Sequence, residues 1–363
     1  EYIIRLDADD YFHKNALKTF VNHIKKNPDS VLIYPDYFLI NENGDKLARV
    51  KRENFLKKVK MLDLPAHGAC TMFKVSTLKK VGGYDEDFNC QDGYDIWLKI
   101  IYNFKISNIN KPLFYYRQHS SNLTRNEKKI LFTRAKIKEK RVSLLKLDKK
   151  DTLAVIPIRK SNFSLKLNPF TKVKNKKLID IAISYALKSK YIAKSIVSTD
   201  SEEVYDYIKK RKTAGVEKRK DYDGSSLSKV VLNLLEEPKY KKFKNIIILF
   251  IEFPFRSEIY IDKAINSLRL FKADVIECVR LKKRLIYFHN GKGLKLLKSE
   301  NFLKSERDNI YVRTGGIIAF SKYQFLKKKK IYHKLSSLGH IIIDEKSSID
   351  INTYLNFKTF EID

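Results

Sequence analysis

The sequence predicts an α/β fold of two Rossmann-like units. At 363 residues the chain exceeds one typical domain, since a domain usually takes about 150 residues. The apolar run Tyr2–Ile4 leads directly into a cluster of aspartates, as at the carboxyl end of a strand. From Asp151 onward, strand-length apolar segments alternate with helical ones, which is typical of a doubly wound parallel sheet. We therefore expect units at residues 1–125 and 151–363, joined by a basic helix over residues 126–150.

Hydrophobic periodicity and turn residues predict the elements within each unit. The first unit should contain a helix, a short buried strand, a hairpin closed by an Asn-Gly turn, and a second helix, over Asn15–Lys26, Ser30–Tyr34, Phe38–Val50 and Ser76–Val81. The second unit should contain strands over Leu153–Pro157, Ser195–Ser198, Asn245–Ile251, Ile341–Asp344 and Ile349–Ile351, and helices over Leu178–Leu187, Ser201–Lys210, Ser225–Leu235 and Ile261–Leu270.

The chain is strongly basic, with 74 Lys and Arg against 42 Asp and Glu, a formal charge of +32. Such a charge suggests polyanionic partners: nucleotides, nucleic acid or an anionic membrane face. The basic residues are scattered in short runs and form no single arm, so a lysine-rich composition that serves small anions is favoured. A non-catalytic nucleic-acid-binding protein stays an alternative, and no specific nucleic acid is expected.

Cysteine and hydropathy patterns indicate a cytoplasmic chain. Its three cysteines have no C-x-x-C spacing, so they favour neither a disulfide framework nor a zinc site. No run reaches the ~18 apolar residues of a membrane span. The basic helix over residues 126–150 could lie on an anionic membrane surface, although a solvated interdomain helix is favoured. The chain also begins within a strand, which suggests residues upstream of Glu1.

Two groups of carboxylates are candidates for chemistry. Asp7 and Asp9 alternate along the backbone and could approach one Mg²⁺ or Mn²⁺, which would take further ligands from a substrate diphosphate. The alternative is an acidic turn in which Asp10 caps the helix through Phe20. Asp92 precedes a helical segment that carries Trp97, and it could act as a general base. The alternative for Asp92 is an N-cap alone.

These residues carry a resemblance. The segments Leu6-Asp7-Ala8-Asp9-Asp10, Gly68 to Phe73, Gly82 to Glu86 with Gln91 to Asp95, and Tyr116 to His119 resemble the inverting, GT-A type glycosyltransferases of family 2 in order and spacing over residues 1 to about 125.

The resemblance implies a role for each matching residue. Asp7, Asp9 and His119 would hold the metal, and Asp92 would be the base. Donor and acceptor would contact Asp10, His67, Gly68, Gln91 and Arg117. In such transferases the strands that hold the nucleotide precede the acidic motif, so the first unit is expected to be truncated at its amino terminus.

Residues 151–363 resemble cytidylyltransferases that activate acidic sugars such as sialic acid. Matching pieces include Ile156 to Arg159, Ser198 to Glu203, Pro254 to Arg256 and Ser348 to Thr353. This resemblance implies nucleotide or sugar contacts from Arg159, Lys176, Asp200, Arg256 and Asp350, with CTP as a candidate substrate.

The second unit also departs from that family. Phe163 and Asn168 stand where lysines belong, and Asn352 stands where the second metal aspartate belongs. An amide cannot supply the charge that a second carboxylate brings to Mg²⁺. We therefore expect weakened nucleotidyl transfer in this unit.

Together these patterns predict a glycosyltransferase of surface polysaccharide biosynthesis. It would transfer a sugar from a nucleotide-sugar donor to a glycan or lipid-linked acceptor with Mg²⁺ or Mn²⁺. The glycosyltransferase would be the first of two nucleotide-diphospho-sugar-transferase-like units, and it would be fused to a weakened nucleotidyltransferase-like second unit. The main alternative is a cytidylyltransferase that makes a CMP-sugar.

Overall fold

The computed structural model describes residues 1–52, 68–101, 103–120, 126–160, 168–219, 226–282, 286–289, 291, 293–296, 310–333 and 337–352. Two predicted positions of interest, His67 and Phe163, lie outside these residues. The chain divides into two compact units: residues 1–134 with 281–310, and residues 135–280 with 311–363. The domain boundaries drawn from the sequence stay a prediction.

The first unit is an α/β unit, as expected. Its elements are β1 (Tyr2–Ile4), β2 (Tyr11–Phe12), α1 (Ala16–Lys26), β3 (Ser30–Ile40), β4 (Lys46–Val50), β5 (Met72–Lys74), α2 (Val75–Lys80), α3 (Asp92–Ile100), β6 (Lys105–Arg117) and the first half of α4 (Glu127–Leu144). The sheet has the order β1-β5-β3-β6-β2, and β4 pairs with β3.

Strand β3 organises this sheet. It runs parallel to β6 and pairs antiparallel with β5 at Leu32 and with β4 from Tyr37 onward, so the predicted hairpin is confirmed. The predicted strands Ser30–Tyr34 and Phe38–Ile40 are thus parts of one strand. The register shifts at Pro35 and Asp36, where proline lacks the N–H that a regular ladder needs.

The core of the first unit explains why α1 forms where it does. The helix buries Ala16 and Phe20 against Ile33 of β3 and Phe114 of β6. These two helical residues lie four apart and therefore share one face. The packing fixes the two strands whose ends carry the candidate site.

The second unit has a larger sheet. Its elements are β7 (Thr152–Ile158), β8 (Lys172–Val173), β9 (Lys176–Lys177), α5 (Leu178–Lys188), β10 (Ile192–Thr199), α6 (Glu202–Arg211), β11 (Gly215–Lys218), α7 (Leu227–Glu236), β12 (Asn245–Leu249), α8 (Glu258–Phe271), β13 (Val275–Lys282), β16 (Ile310–Ser321), α9 (Lys322–Lys328) and β17 (Leu338–Ile342). The hairpin β14 (Tyr287–His289) and β15 (Leu294–Leu296) falls in residues grouped with the first unit.

This sheet is mixed, which corrects the expectation of a wholly parallel one. Its order is β11-β10-β7-β12-β16-β13-β17. Strands β11, β10, β7 and β12 are parallel to one another, whereas β16 pairs antiparallel with β12. No strand was predicted over residues 310–321, so the reversal was not expected. The expected segment Ile349–Ile351 also lies outside the strands.

The basic helix α4 ends earlier than predicted, at Leu144. It buries Leu131, Ile137 and Val142, whereas Phe132 and Leu144 are exposed. In the part of the chain that the structure describes, no helix is both long enough and apolar enough to cross a bilayer.

All three cysteines are buried, and none forms a disulfide bond. Cys70, Cys90 and Cys278 are each at most 7% exposed. Burial, which outweighs the attraction of Arg52, raises the pKa of Cys70 to about 12. The thiol is therefore protonated at neutral pH.

Candidate functional site

The acidic turn after β1 is tied to the end of β6. The carboxylate of Asp10 is buried, and its Oδ1 accepts a hydrogen bond of 2.9 Å from the main-chain N–H of Arg117. Helix α1 begins only at Ala16, with Asn15 at its cap. The alternative in which Asp10 caps that helix is therefore wrong, because the side chain is engaged by the opposite strand.

Asp10 is buried among like charges. Its Oδ2 is buried and has no hydrogen-bond partner. Burial raises the pKa of Asp10 to about 7; the charges of Asp9 and Asp7 act in the same direction, and the amide of Arg117 opposes them. The three aspartates of the turn thus lie close enough to repel one another.

Arg117 binds the main chain around this turn. Its Nε donates to the carbonyl of Asp9 at 3.0 Å, and its Nη1 donates to the carbonyl of Glu42 at 2.6 Å. The sequence predicted a donor-binding role for Arg117, which stays a prediction. These contacts add a positioning role, since the guanidinium fixes the backbone that carries the acidic side chains.

Asp9 and His119 meet at this end of the sheet. The His119 Nε2 lies 2.8 Å from Asp9 Oδ2, and both side chains are partly exposed. Among the described residues, no group of three or more His, Cys, Asp or Glu side chains is arranged to hold a metal ion. Mg²⁺, however, commonly binds one or two carboxylates and takes its other ligands from water and substrate phosphates. The carboxylates of Asp7 and Asp9 suit that mode, and a metal held by Asp7, Asp9 and His119 stays a prediction.

Arg5 connects the acidic turn to Asp92. Its Nε donates to Asp7 Oδ1 at 2.9 Å, and its Nη1 donates to Asp92 Oδ2. Burial disfavours the guanidinium charge, but Asp92 and Asp7 outweigh that penalty and raise the pKa of Arg5. Asp7 and Asp92 therefore contact the same guanidinium, although they are 85 positions apart. No pattern in the sequence had pointed to Arg5.

Asp92 is the first residue of α3. The preceding residue, Gln91, adopts a left-handed backbone with φ of 62°, which costs about 1–3 kcal/mol for a residue with a side chain. Asp92 Oδ1 accepts from the N–H of Gly93 at 2.8 Å. The side chain of Gln91 accepts from Arg134 at 2.7 Å. The tight turn thus aims Asp92 Oδ2 at Arg5 and away from the helix axis.

Gly68 lies against the start of α3. A Cβ added to Gly93 would come within 2.8 Å of Gly68 Cα, and one added to Gly68 would lie 4.0 Å from both Asp92 Oδ1 and Arg5 Nη1. The predicted acceptor residue Gly68 and the predicted base are thus neighbours.

In the second unit, polar residues gather at the carboxyl ends of β7, β10 and β11. Asp200 Oδ1 accepts from the N–H of Lys160 at 2.7 Å and lies 3.7 Å from Arg219 Nη2. Burial lowers the pKa of Arg219; Asp200 opposes this, and the nearby Arg159 adds to it. The structure thus brings the predicted Arg159 and Asp200 together with Arg219. No role had been predicted for Arg219 from the sequence.

A second group lines a cavity of about 260 Å³ beyond the end of β12. Its lining includes Asp350 and, unexpectedly, Glu252, along with Phe250, Phe253, Arg313, Thr314, Gly316 and Asn352. Burial raises the pKa of Glu252; Arg256 opposes this and Asp350 reinforces it. Glu252 Oε2 is buried without a hydrogen-bond partner.

Arg256 and Lys176 differ from the other predicted ligand contacts of the second unit in their burial, since Arg256 is almost fully buried and Lys176 is exposed. The Arg256 side chain is 1% exposed and donates to the main-chain carbonyls of Gly316 and Phe250. Lys176 is exposed on the β8–β9 hairpin. The adjacent Lys177 instead stacks over Tyr207, at 4.2 Å from the ring centre, and lines a neighbouring cavity.

These features define a class: an α/β chain of two units, each with charged residues at or just beyond the carboxyl ends of its strands. Comparison with protein families gives the particular families. Residues 1–157 match the model described as glycosyltransferase like family 2, and residues 153–341 match the model described as cytidylyltransferase. Because the second match takes in more than half of the chain, the protein belongs to the cytidylyltransferase family, and its amino-terminal part is a glycosyltransferase family 2-like domain.

Similar proteins match the first domain. An uncharacterized glycosyltransferase of Methanocaldococcus jannaschii is 31% identical over 140 residues, which are 37% of this chain and 48% of that protein. An uncharacterized glycosyltransferase of Rickettsia felis is 28% identical over 137 residues, 34% of this chain and 23% of that protein. The chain therefore spans about half of the archaeal relative and about a quarter of the rickettsial one.

Solved structures with similarity to the chain include a synthase and a synthetase. One is the 4-diphosphocytidyl-2C-methyl-D-erythritol synthase of Anaerococcus prevotii, at 16% identity and a TM-score of 0.45, covering 58% of this chain and 94% of that one. The other is a CMP:2-keto-3-deoxy-manno-octonic acid synthetase complexed with CTP, at 14% identity and a TM-score of 0.40, covering 51% and 80%.

The contact between Gly93 and Gly68 predicts that Gly93→Ala destabilises the first unit. The added methyl group would meet backbone, which must shift, so we expect a loss of about 1–3 kcal/mol despite the better helix propensity of alanine. Urea unfolding measures this loss. Gly215→Ala is the control, because its Cβ would meet neighbours at an ordinary 3.5 Å. Equal stability of Gly93→Ala and wild type would contradict the close approach.

Proposed function

We propose that the first domain transfers a sugar from a nucleotide-sugar donor to a hydroxyl of a glycan or lipid-linked acceptor, with inversion, in surface polysaccharide biosynthesis. The observation that carries this proposal is that one guanidinium, that of Arg5, contacts both Asp7 and Asp92. The carboxylate predicted to hold the metal at the leaving group and the predicted base therefore lie close together, as a single in-line displacement requires.

The residues divide the chemistry between them. Mg²⁺ or Mn²⁺ held by Asp7, Asp9 and His119 would neutralise the nucleoside diphosphate as it leaves. Asp92 accepts the proton of the attacking hydroxyl. The backbone of Gly68 borders the acceptor, for which the sequence also predicts a contact from His67, and Arg117 keeps the acidic turn oriented.

For the second domain we propose a weakened nucleotidyltransferase that binds CTP. Arg159 and Arg219 supply cations for phosphate groups at the ends of β7 and β11, and their fork-shaped donors suit phosphate oxygens. The cavity beside Asp350 has Asn352 where a second carboxylate would assist Mg²⁺. A fully active cytidylyltransferase that makes a CMP-sugar is the second candidate, and the family match favours it.

The same proposal includes where in the cell the protein acts. A cytoplasmic protein that contacts the membrane peripherally would have access to a lipid-linked acceptor. The support for this is α4, whose exposed charged residues include Lys128, Lys129 and Lys136. Lysines attract anionic lipid headgroups near a membrane surface.

Asp92→Asn tests the first proposal. Because the amide cannot accept the proton, we expect sugar transfer to fall about 10²- to 10⁴-fold, while binding of the nucleotide-sugar donor stays within about twofold. Release of nucleoside diphosphate from a panel of nucleotide sugars, measured with the whole protein that carries this chain, gives the rate.

Asp87→Asn is the matched control, since Asp87 is an exposed carboxylate five residues earlier in the same segment. It should leave transfer unchanged. If Asp92→Asn transferred sugar as fast as this control, Asp92 would have no part in the reaction.

Asn352→Asp tests the second proposal. Restoring a carboxylate beside Asp350 should raise Mg²⁺-dependent pyrophosphate release from CTP and an acidic sugar by about tenfold, in line with the effect of groups that support metal ligands. Asn43→Asp adds the same charge in the first unit and should change nothing. High pyrophosphate release by the unaltered protein would instead establish the second candidate.

A further inference from the structure

The positively charged side chain of Arg5 lies within the acidic cluster of the first domain, which consists of Asp7, Asp9, Asp10 and Asp92. Asp7 and Asp92 both contact Arg5, and Asp9 and Asp10 lie in the same turn as Asp7. Carboxylates this close together repel one another, and a nearby positive charge offsets the repulsion. Arg5 supplies it from the residue that directly follows the β1 segment.

We propose that Arg5 is a positioning residue that acts as a built-in counter-cation: it holds Asp7 and Asp92 together while no divalent cation is bound, and it opposes the entry of that cation. This inference rests on the proposed function, because it concerns the same acidic cluster. It goes beyond that function by assigning a role to a residue that neither motif includes.

The geometry of the guanidinium supports this role. Two different nitrogens of Arg5 reach the two carboxylates, Nε to Asp7 and Nη1 to Asp92. The guanidinium also lies 5.9 Å from the ring centre of Tyr84, within the range of a cation–π contact. A point charge such as an ammonium could not span both partners in this fork.

The guanidinium and a divalent cation compete through charge. Both would sit beside Asp7, and each would weaken the attraction of the other for that carboxylate. Linkage makes the effect reciprocal: the free energy by which the cation loosens Arg5 equals the free energy by which Arg5 weakens cation binding. The ion pairs are about one-third exposed, so the effect should be moderate.

The test is a Mn²⁺ titration of the whole protein without donor, followed by calorimetry or by the EPR signal of free Mn²⁺. We expect Arg5→Gln to bind Mn²⁺ about two- to tenfold more tightly than wild type. Arg49→Gln is the matched control. Arg49 has the same 40% side-chain exposure and pairs with Asp36 at 2.9 Å within the same unit, so it reports the effect of removing any one positive charge and should stay within twofold.

Arg5→Lys separates charge from geometry. It keeps the charge but loses the fork, so its affinity for Mn²⁺ should fall between those of wild type and Arg5→Gln. If Arg5→Gln failed to fold, Arg5→Lys compared with Arg49→Lys would give the same test, with tighter binding expected for Arg5→Lys alone.

A second measurement needs no metal. In EDTA, the effects of Arg5→Gln and Asp92→Asn on the unfolding equilibrium constant should be non-additive by about two- to fivefold, because the two groups contact each other. Strict additivity would overturn the proposal.

The outcomes separate this inference from the proposed function. Mn²⁺ binding by wild type that is equal to, or tighter than, binding by Arg5→Gln would overturn the role of Arg5 and leave the cation site intact. Absence of Mn²⁺ binding in wild type and in both Arg5 variants would overturn the cation site, and the inference with it.

Discussion

The hydrogen bonds of Arg117 to the acidic turn are the constraint on which the first site depends. They join residues 107 and 108 positions apart, the end of β6 and the turn after β1. β6 is itself fixed by its long parallel pairing with β3. The arrangement keeps Asp10 buried with a pKa near 7, an unfavourable state that persists only where the surroundings over-determine it. The orientation of Asp7 and Asp9 is therefore a property of the sheet and does not depend on a local turn alone.

Local patterns explain what the sequence could predict. The acidic turn after Tyr2–Ile4, the Asn-Gly hairpin and the position of Asp92 at a helix start all depend on neighbours within a few residues, and each was found where expected. The strand and helix alternation after Asp151 likewise predicted the α/β class. The pairing of Asp9 with His119 came from a family resemblance, because nothing in the local sequence brings these two residues together.

Long-range partners explain what the sequence could not predict. Arg5 and Arg219 look like ordinary basic residues in a chain of charge +32, and only the fold brings them to Asp92 and Asp200. Glu252 interrupts an apolar run of the sequence, and only the fold shows that it lines a cavity together with Asp350. Arg256 resembled a ligand contact by motif, yet its guanidinium meets main-chain carbonyls, as a buried donor must where no water reaches it.

The buried cysteines have a practical consequence. A thiol reacts with maleimides and disulfide reagents as the thiolate, and the burial of Cys70, Cys90 and Cys278 hides all three sulfur atoms from such reagents in the folded protein. A single cysteine introduced on an exposed position could therefore carry a fluorophore or spin label without prior removal of the native ones. Distances within either unit then become accessible to spectroscopy in an otherwise unaltered sequence.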